Sequence, residues 1–172
     1  MTKDTMNLTN LTSDNLKTLH KLYQSNEYPI WSRHFSDFLN QEQFLEELST
    51  LGSLLAVSEG DVFKGLLTVS LKNKPKLAHI SLLLLKEHQH KGLAPKAILQ
   101  IMDYLFKGET RRVVVTVSSE DERTTSLLRK GHFTQEGKLI KSCYYNNKYY
   151  DETRFSLSRE KYKEYYQNKK EV

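Results

Sequence analysis

The chain has 172 residues, a length that suits one domain with a core of ordinary size. Its formal net charge of +5 favours anionic partners, and its basic residues form no recognisable RNA- or DNA-binding module. One cysteine, Cys143, rules out an internal disulfide, and no stretch reaches the roughly 20 apolar residues of a membrane span, so we expect a cytoplasmic protein without membrane association.

The first third of the chain predicts one strand and two helices. Asn7 to Thr12 reads as a short strand, and Ser13-Asp14 is a credible N-cap for the first helix. A second run of apolar residues at helical spacing extends from Phe35 to Leu51, before Gly52. The loop between them, Tyr28 to His34, either faces a substrate or is held on the core by its Trp.

The middle of the chain predicts three consecutive antiparallel strands followed by a strand-helix-strand unit. The three strands are Leu54 to Ser58, Phe63 to Leu71 and Lys76 to Leu85. A helix from Leu93 to Phe106 leads to a β-branched strand from Arg112 to Val117. The crossover makes this fifth strand parallel to the fourth.

The last third predicts a short helix, Thr124 to Lys130, and a terminal hairpin that turns at Asn146-Asn147. The hairpin strands are Gln135 to Tyr145 and Lys148 to Leu157. Lys161 to Val172 is charged and Tyr-rich with no obvious core face, so it predicts a frayed helix or a disordered end. Because no linker divides the chain, we predict a single domain over 1–172, with a core at about 7–157 and a charged tail at 158–172.

The turn between the fourth strand and the following helix is the strongest functional signal. It reads Gln89-His-Lys-Gly92-Leu-Ala94, with Pro95 in the first helical turn. A basic turn at a helix start offers unpaired backbone N–H groups, the positive end of the helix dipole and cationic side chains to a pyrophosphate. The turn matches neither G-x-x-x-x-G-K-[ST] nor G-x-G-x-x-G. The alternative is a strand-to-helix turn that is basic for no functional reason.

The Q-x-x-G-x-A string resembles the acetyl-coenzyme A turn, [QR]-x-x-G-x-[GA], of the GNAT (GCN5-related) N-acetyltransferases. A second stretch resembles N-x-x-[AS]-x-x-L-[Y]-x-x-x-G-F, typical of the branch that resembles ribosomal-protein N-terminal acetyltransferases. This alignment sets Asp121 on the Asn, Thr124 on the small residue, Leu128 on the frequent Tyr and His132 on the Gly. The hairpin ending agrees as well, so the resemblance runs from about Leu54 to Leu157.

The resemblance implies an α/β (α+β) fold with a mixed, mostly antiparallel central sheet flanked by helices and splayed between the fourth and fifth strands. The pantetheine arm of acetyl-coenzyme A would lie in that gap, and the pyrophosphate would lie on the turn. The resemblance implies three groups of cofactor-binding residues. The first offers strand backbone to the pantetheine, the second offers N–H groups and charges of the turn to the pyrophosphate, and the third borders the pantetheine. They are Leu83, Leu84 and Leu85; Gln89, His90, Lys91, Gly92, Leu93, Ala94 and Lys96; and Asp121 and Thr124.

The resemblance also implies acetyl transfer by direct attack of a neutral primary amine on the thioester, assisted by a general base. The family position that often holds Glu is His79 here, and an imidazole suits this role, although an ordinary partly buried His is the alternative. Leu128 removes the Tyr that many relatives use as general acid. Tyr144, Tyr145, Tyr149 or Tyr150 could replace it, or could simply pack the hairpin.

We therefore expect an acyltransferase that uses acetyl-coenzyme A and acetylates a protein N-terminus or a small amine, as a monomer or homodimer. Glu27 and Asp37 could receive a cationic amine, or could be plain surface charge. His88 and His90 lack a third ligand at a plausible spacing, so no metal is expected. The alternatives are a non-catalytic acyl-coenzyme A-sensing module and, further off, a basic nucleic-acid-binding protein.

Overall fold

The computed structural model of the protein describes residues 5–25, 35–36, 39–72, 76–145 and 147–167. In these residues the helices are α1 (Ser13–Ser25), α2 (Gln41–Thr50), α3 (Leu93–Lys107), α4 (Glu122–Lys130) and α5 (Arg159–Tyr162). The strands are β1 (Met6–Asn10), β2 (Ser53–Glu59), β3 (Val62–Lys72), β4 (Leu77–Leu84), β5 (Arg112–Ser118), β6 (Thr134–Tyr145) and β7 (Lys148–Ser158). A 3₁₀ turn, Lys86–His88, precedes α3, and a π-helical turn, Lys163–Gln167, follows α5.

The strands form one sheet in the order β1-β2-β3-β4-β5-β7-β6. β4 and β5 are parallel and pair at three positions, Leu77–His79 with Arg112–Val114. The pairs β1–β2, β2–β3, β5–β7 and β6–β7 are antiparallel. The predicted fold class, a mixed and mostly antiparallel sheet flanked by helices, is confirmed. None of the described helices has the length and apolar character needed to cross a membrane.

The chain divides into two compact units. The first comprises Met1–Ser70 and Ser81–Ala97. Its buried cluster combines residues of α1, α2, β3 and β4 with one residue that precedes α2. The members are Leu19, Phe35, Phe44, Leu48, Leu66 and Leu83.

Both helix starts in the first unit differ from the sequence prediction. Thr12, rather than Ser13-Asp14, caps α1, because its hydroxyl accepts from the N–H of Asn15 at 3.2 Å and Asn15 Oδ1 accepts from the Thr12 N–H at 3.0 Å. α2 begins only at Gln41, because Asn40 forms a capping box with Gln43. Residues 35–36 and 39–40 are not helical, so the predicted helix start at Phe35 is wrong. Residues 37–38 and the predicted loop at 28–34 lie outside the described residues.

The second unit comprises Leu71–Ile80 and Ile98–Val172. Val113 of β5 and Phe155 and Leu157 of β7 are fully buried in it. α5 continues directly from β7, since the Ser158 hydroxyl accepts from the Lys161 N–H at 3.2 Å. Tyr162 is only 1% exposed, and its ring lies 4.9 Å from that of Phe106.

The expectation that the C-terminal segment lacks a core face is therefore wrong for the part that the structure describes, which ends at Gln167. Among the described residues of this segment, Tyr162 is the buried one. A single buried residue among charged ones gives no periodic signal in the sequence. Residues 168–172 lie outside the described part of the chain.

Candidate active site

The Gln89–Ala94 turn lies between β4 and α3, as predicted. Leu85 continues in an extended conformation, the 3₁₀ turn Lys86–His88 follows, and His90 and Gly92 adopt left-handed φ angles of 62° and 74°. α3 is fixed at its start by Leu93 and Ala97, which are both buried. The turn residues between Gln89 and Leu93 are thereby held on the surface of the first unit.

Hydrogen bonds to β3 and β4 fix the shape of the turn. The side-chain amide of Gln89 donates from Nε2 to the Leu84 carbonyl at 2.9 Å. The main-chain N–H of Gln89 donates to Lys86 O at 3.2 Å, and that of Leu85 donates to Lys64 O at 2.9 Å. The Gln of the motif thus ties the turn to the strand. The Leu85 N–H, one of the groups expected to meet pantetheine, is already used by the protein.

The far side of the turn has unused donors. Within the described residues, the main-chain N–H groups of Lys91, Gly92 and Leu93 make no hydrogen bond to another protein group. A Cβ built on Gly92 would have nothing within 4 Å. The first turn of α3 has no acidic residue, and Lys91 and Lys96 are exposed beside it. Free amides at a helix start with cations nearby form an anion-binding arrangement.

His88 does not belong to this set of cations. Its side chain is 14% exposed, and its Nδ1 lies 3.5 Å from Lys64 Nζ. Burial lowers the pKa of His88, and the neighbouring Lys64 lowers it further. A neutral His88 therefore accepts a hydrogen bond from the Lys64 ammonium and connects the turn to β3. The part of the chain that the structure describes contains no group of three His, Cys, Asp or Glu residues suited to a metal.

His79 lies on β4 in the second unit, opposite Val114 of β5. It is half-buried, and burial lowers the pKa of its imidazole. The positive charges of Arg154, Lys72 and Arg112 lower the pKa further, whereas Glu136 raises it. His79 is therefore neutral near pH 7 and can accept a proton, as a general base must.

A set of polar residues missed by the sequence analysis surrounds His79. Arg112 Nη2 pairs with Glu136 Oε1 at 2.9 Å, and Arg154 Nε lies 3.6 Å from Glu136 Oε2. The hydroxyl of Ser156 donates to Glu136 Oε1 at 2.7 Å. Glu136 falls at a register shift between Gln135 and Gly137, and strand alternation alone does not place it. The alternation of side chains along β5 and β7 was a signal in the sequence from which Arg112 and Arg154 could have been placed on one face of the sheet.

Asp121 and Thr124 interact with each other at the start of α4. Asp121 is the N-cap, and its Oδ1 accepts from the Thr124 N–H at 2.9 Å while its Oδ2 accepts from the Thr124 hydroxyl at 2.6 Å. Leu128, aligned with the family Tyr, is buried. The observed contacts of Asp121 and Thr124 are those of a helix cap. Their predicted contact with pantetheine stays a prediction.

The hairpin tyrosines partly pack against each other. Tyr144 and Tyr149 are exposed, with ring centroids 4.8 Å apart, and the Tyr144 hydroxyl donates to Asn147 at 3.3 Å. Tyr150 is half-buried and lies under the Lys148 ammonium at 4.7 Å. These contacts fit hairpin packing, the second of the two interpretations.

The structure groups the predicted residues in two sets. The strand end and the turn, Leu83 to Ala94 with Lys96, belong to the first unit. His79, Asp121 and Thr124 belong to the second unit, His79 on β4 and the other two at the start of α4.

The fold and the strand-turn-helix unit are those expected of an acetyltransferase of the GNAT type, and comparison with known proteins identifies the family. The sequence model of the Acetyltransferase (GNAT) family matches residues 16–133. The chain belongs to this family.

The individual relatives share less than a third of their residues with this chain in the aligned regions. Over 86 residues the chain is 28% identical to the spermidine N(1)-acetyltransferase of Vibrio cholerae serotype O1, covering 49% of this chain and 50% of that protein. The match thus spans about half the length of the curated relative. A crystal structure of Vibrio cholerae spermidine N-acetyltransferase, solved with CoA and spermine, resembles the fold with a TM-score of 0.79 at 21% identity, covering 91% of this chain and 97% of that one. A ribosomal L7/L12 alpha-N-protein acetyltransferase, solved with coenzyme A, has a TM-score of 0.72 at 20% identity, covering 92% and 95%.

Proposed function

We propose that this protein transfers the acetyl group of acetyl-coenzyme A to a primary amine. The observation that carries the proposal is the Gln89–Ala94 turn. Among the described residues, the main-chain N–H groups of Lys91, Gly92 and Leu93 have no hydrogen-bond partner, and nothing lies within 4 Å of a Cβ built on Gly92. These donors, the exposed ammonium groups of Lys91 and Lys96 and the start of α3 would bind the pyrophosphate of the cofactor. Family membership supports the choice of acetyl-coenzyme A among phosphate-bearing cofactors.

His79 is the proposed general base. Alkyl ammonium groups have a pKa of about 10 and must lose a proton before the nitrogen can attack. In this scheme an imidazole nitrogen of His79 accepts that proton, directly or through a water molecule. The amine nitrogen forms a bond to the thioester carbonyl carbon, the carbon–sulfur bond breaks, and coenzyme A leaves as a thiolate. A thiol pKa of about 8.5 makes this leaving group acceptable without a dedicated acid, which is consistent with the burial of Leu128 at the usual Tyr position.

The acceptor is proposed only as a primary amine. The named relatives acetylate spermidine in one case and a protein α-amine in the other, and a primary amine is what the two substrates share. A cytoplasmic location and a monomeric or homodimeric state remain predictions from the sequence.

A non-catalytic acyl-coenzyme A sensor is the alternative that one observation favours, because Leu128 replaces the usual acid. Two measurements separate it from an enzyme. Acetyl-coenzyme A should raise the melting temperature in either case, since a ligand that binds only the folded state stabilises it. Release of free thiol on addition of amines, peptides or polyamines is expected only of the enzyme. Binding without thiol release across the whole panel would favour the sensor, and no thermal shift would contradict both.

A further inference from the structure

A strongly charged surface surrounds His79 on one face of the sheet. We call it the basic face and define it by His79, Arg112, Glu136, Arg154 and Ser156. The strand registers place His79 opposite Val114 and Val114 opposite Ser156, so these three residues form one row across β4, β5 and β7. Arg112 lies two residues before Val114 on β5, and Arg154 lies two residues before Ser156 on β7. Residues two apart on a strand share a face, and contacts with Glu136 connect both arginines to Ser156.

The charge on this face is unbalanced. On the face itself two cations, Arg112 and Arg154, stand against one carboxylate, Glu136, which leaves a net charge of +1 while His79 is neutral. Lys72, outside the face as defined, adds a further positive charge that acts on His79. Two further charges lie at its margins. Lys161 Nζ donates to the Thr134 hydroxyl at 2.9 Å, and Glu152 accepts from the Ser142 hydroxyl at 2.9 Å. These two charges cancel in sum, so the face remains positive.

Glu136 pairs closely with Arg112 but leaves Arg154 Nε without a hydrogen bond. Its Oε1 already accepts from Ser156 and Arg112 at 2.7 and 2.9 Å. Arg154 Nε lies 3.6 Å from Oε2, inside the range of an ion pair but beyond that of a hydrogen bond, and it is buried without a hydrogen-bond partner among the described residues. The Arg154 and Arg112 side chains are nevertheless 35% and 48% exposed. Both side chains can therefore be reached from solvent, and each guanidinium carries five N–H donors.

We propose that the acceptor amine also carries a carboxylate, which Arg154 and Arg112 bind on the face that holds His79, and that polyamines are poor acceptors. The proposal rests on the acetyl transfer proposed above and specifies its acceptor. Guanidinium groups bind carboxylates through paired, charge-assisted hydrogen bonds. A polyamine would bring several positive charges to a face that is already positive, and like charges are excluded there. In this respect the chain would differ from the spermidine acetyltransferase that it resembles.

The test compares acceptors that differ only in the carboxylate. Thiol release is measured with an acidic amino acid and its amide, with a peptide that has an acidic N-terminal residue and its amide-substituted counterpart, and with spermidine. The two pairs distinguish a free amino acid from a peptide as the source of the carboxylate. We expect kcat/KM for the better carboxylate acceptor to exceed that of its amide by about tenfold or more, corresponding to one charge-assisted pair. Spermidine should be slower than either.

Substitutions of the two arginines test whether they cause the preference for carboxylate acceptors. Arg154→Gln should raise KM for the carboxylate acceptor about tenfold and bring the carboxylate-to-amide ratio close to one. Arg154→Lys, which keeps the charge but not the paired donors, should recover part of the preference. Arg112→Gln removes a more exposed side chain and tests the same face if Arg154→Gln does not fold. Arg129→Gln is the matched control, because Arg129 is exposed on α4 and contacts Gln135 instead.

A wild-type preference for spermidine, or a carboxylate-to-amide ratio that survives both Arg→Gln substitutions, would overturn the proposal while leaving acetyl transfer intact. If no amine supports thiol release, the proposed acetyl transfer is wrong. Binding of the same amines to the coenzyme A-bound protein is then measured by calorimetry. Binding of the carboxylate amines that is lost in Arg154→Gln would support the basic face as an anion site. Equal binding of the acids and the amides would reject it.

Discussion

Gly65 of β3 packs directly against the carbonyl oxygen of Leu83 on β4. A Cβ added at Gly65 would lie 2.1 Å from Leu83 O and 3.0 Å from the Leu84 Cα. Gly65 is buried, and the carbonyl belongs to the strand that leads into the Gln89–Ala94 turn. A glycine inside a strand can mark a close backbone approach, but the sequence does not identify Leu83 as the partner, because the requirement comes from a neighbouring strand rather than from the φ angle of Gly65.

We predict that Gly65→Ala destabilises the protein by about 2 kcal/mol or more, because β3 and β4 must separate to admit the methyl group. Urea unfolding should show a lower midpoint with an unchanged m-value. Gly137→Ala is the control. It lies in β6, a Cβ there has nothing within 4 Å, and its effect should stay within about 0.5 kcal/mol. Equal stability of Gly65→Ala and wild type would show that the two strands are not in the arrangement described.

Gly92→Glu should abolish the rise in melting temperature that acetyl-coenzyme A produces. The added carboxylate would be placed at the free amides of the turn and would repel the phosphates. Any side chain at the φ of 74° also costs about 1 kcal/mol in the free protein, so binding must be separated from stability. Gly92→Asn provides that separation, since Asn tolerates the left-handed conformation and adds no charge. The ligand-induced shift should persist in Gly92→Asn, and a shift that also persists in Gly92→Glu would contradict the assignment of the turn.

The turn was predictable from the sequence because its parts are contiguous. A strand, a glycine at a left-handed position and a helix start within ten residues specify free amides without knowledge of distant contacts. The basic face was not predictable in the same way. Arg112, Glu136 and Arg154 meet only through the strand order β5-β7-β6 and the register shift beside Glu136, neither of which a single sequence determines.

His132 shows a third situation, in which the sequence departs from a motif and the structure explains the departure. The family motif has Gly here, and His132 keeps the left-handed φ, 58°, that a Gly would adopt without cost. Its ring stacks on Tyr165, with centroids 3.8 Å apart and planes inclined by 6°. The contact partner lies in the C-terminal segment, for which the sequence predicted no core face. The stacking contact therefore connects His132 to the C-terminal segment.

Substitutions at Tyr162 test the packing of that segment. Tyr162→Ala should lower the free energy of unfolding by about 3 kcal/mol or more, because it removes a fully buried ring next to Phe106. Tyr162→Phe should cost about 1 kcal/mol, since it removes the hydroxyl that donates to Asp103 and leaves the ring in place. Both values come from urea unfolding at pH 7. A loss below about 0.5 kcal/mol in Tyr162→Ala would mean that the segment is not docked in solution.

The same tyrosine predicts an alkaline dependence of stability. Burial, and then the hydrogen bond to Asp103, raise the pKa of Tyr162 above its ordinary value of 10. The folded state therefore retains a proton that the unfolded chain loses, so Tyr162 makes the free energy of unfolding fall as the pH rises above about 10. Tyr162→Phe should show a shallower decline over the same range. A decline of identical slope in both proteins would indicate that Tyr162 is not buried in its neutral form.

The pH dependence of acetyl transfer tests His79 as the base. Burial and the nearby Arg154 lower its pKa below the ordinary 6.5, so the imidazole is already neutral at pH 7 and activity should fall only below about pH 6.5. His79→Ala should reduce kcat by about 100-fold, a typical contribution of a general base, and leave the acetyl-coenzyme A thermal shift unchanged.

In Arg154→Gln one positive charge disappears, which raises the pKa of His79 and moves the acidic limb of the kcat profile to higher pH. That movement is independent of any change in acceptor KM, because kcat reports the complex with bound substrate. An acidic limb that stays in place in Arg154→Gln, together with wild-type kcat in His79→Ala, would remove His79 from the reaction and leave a bound water or another residue to take the proton.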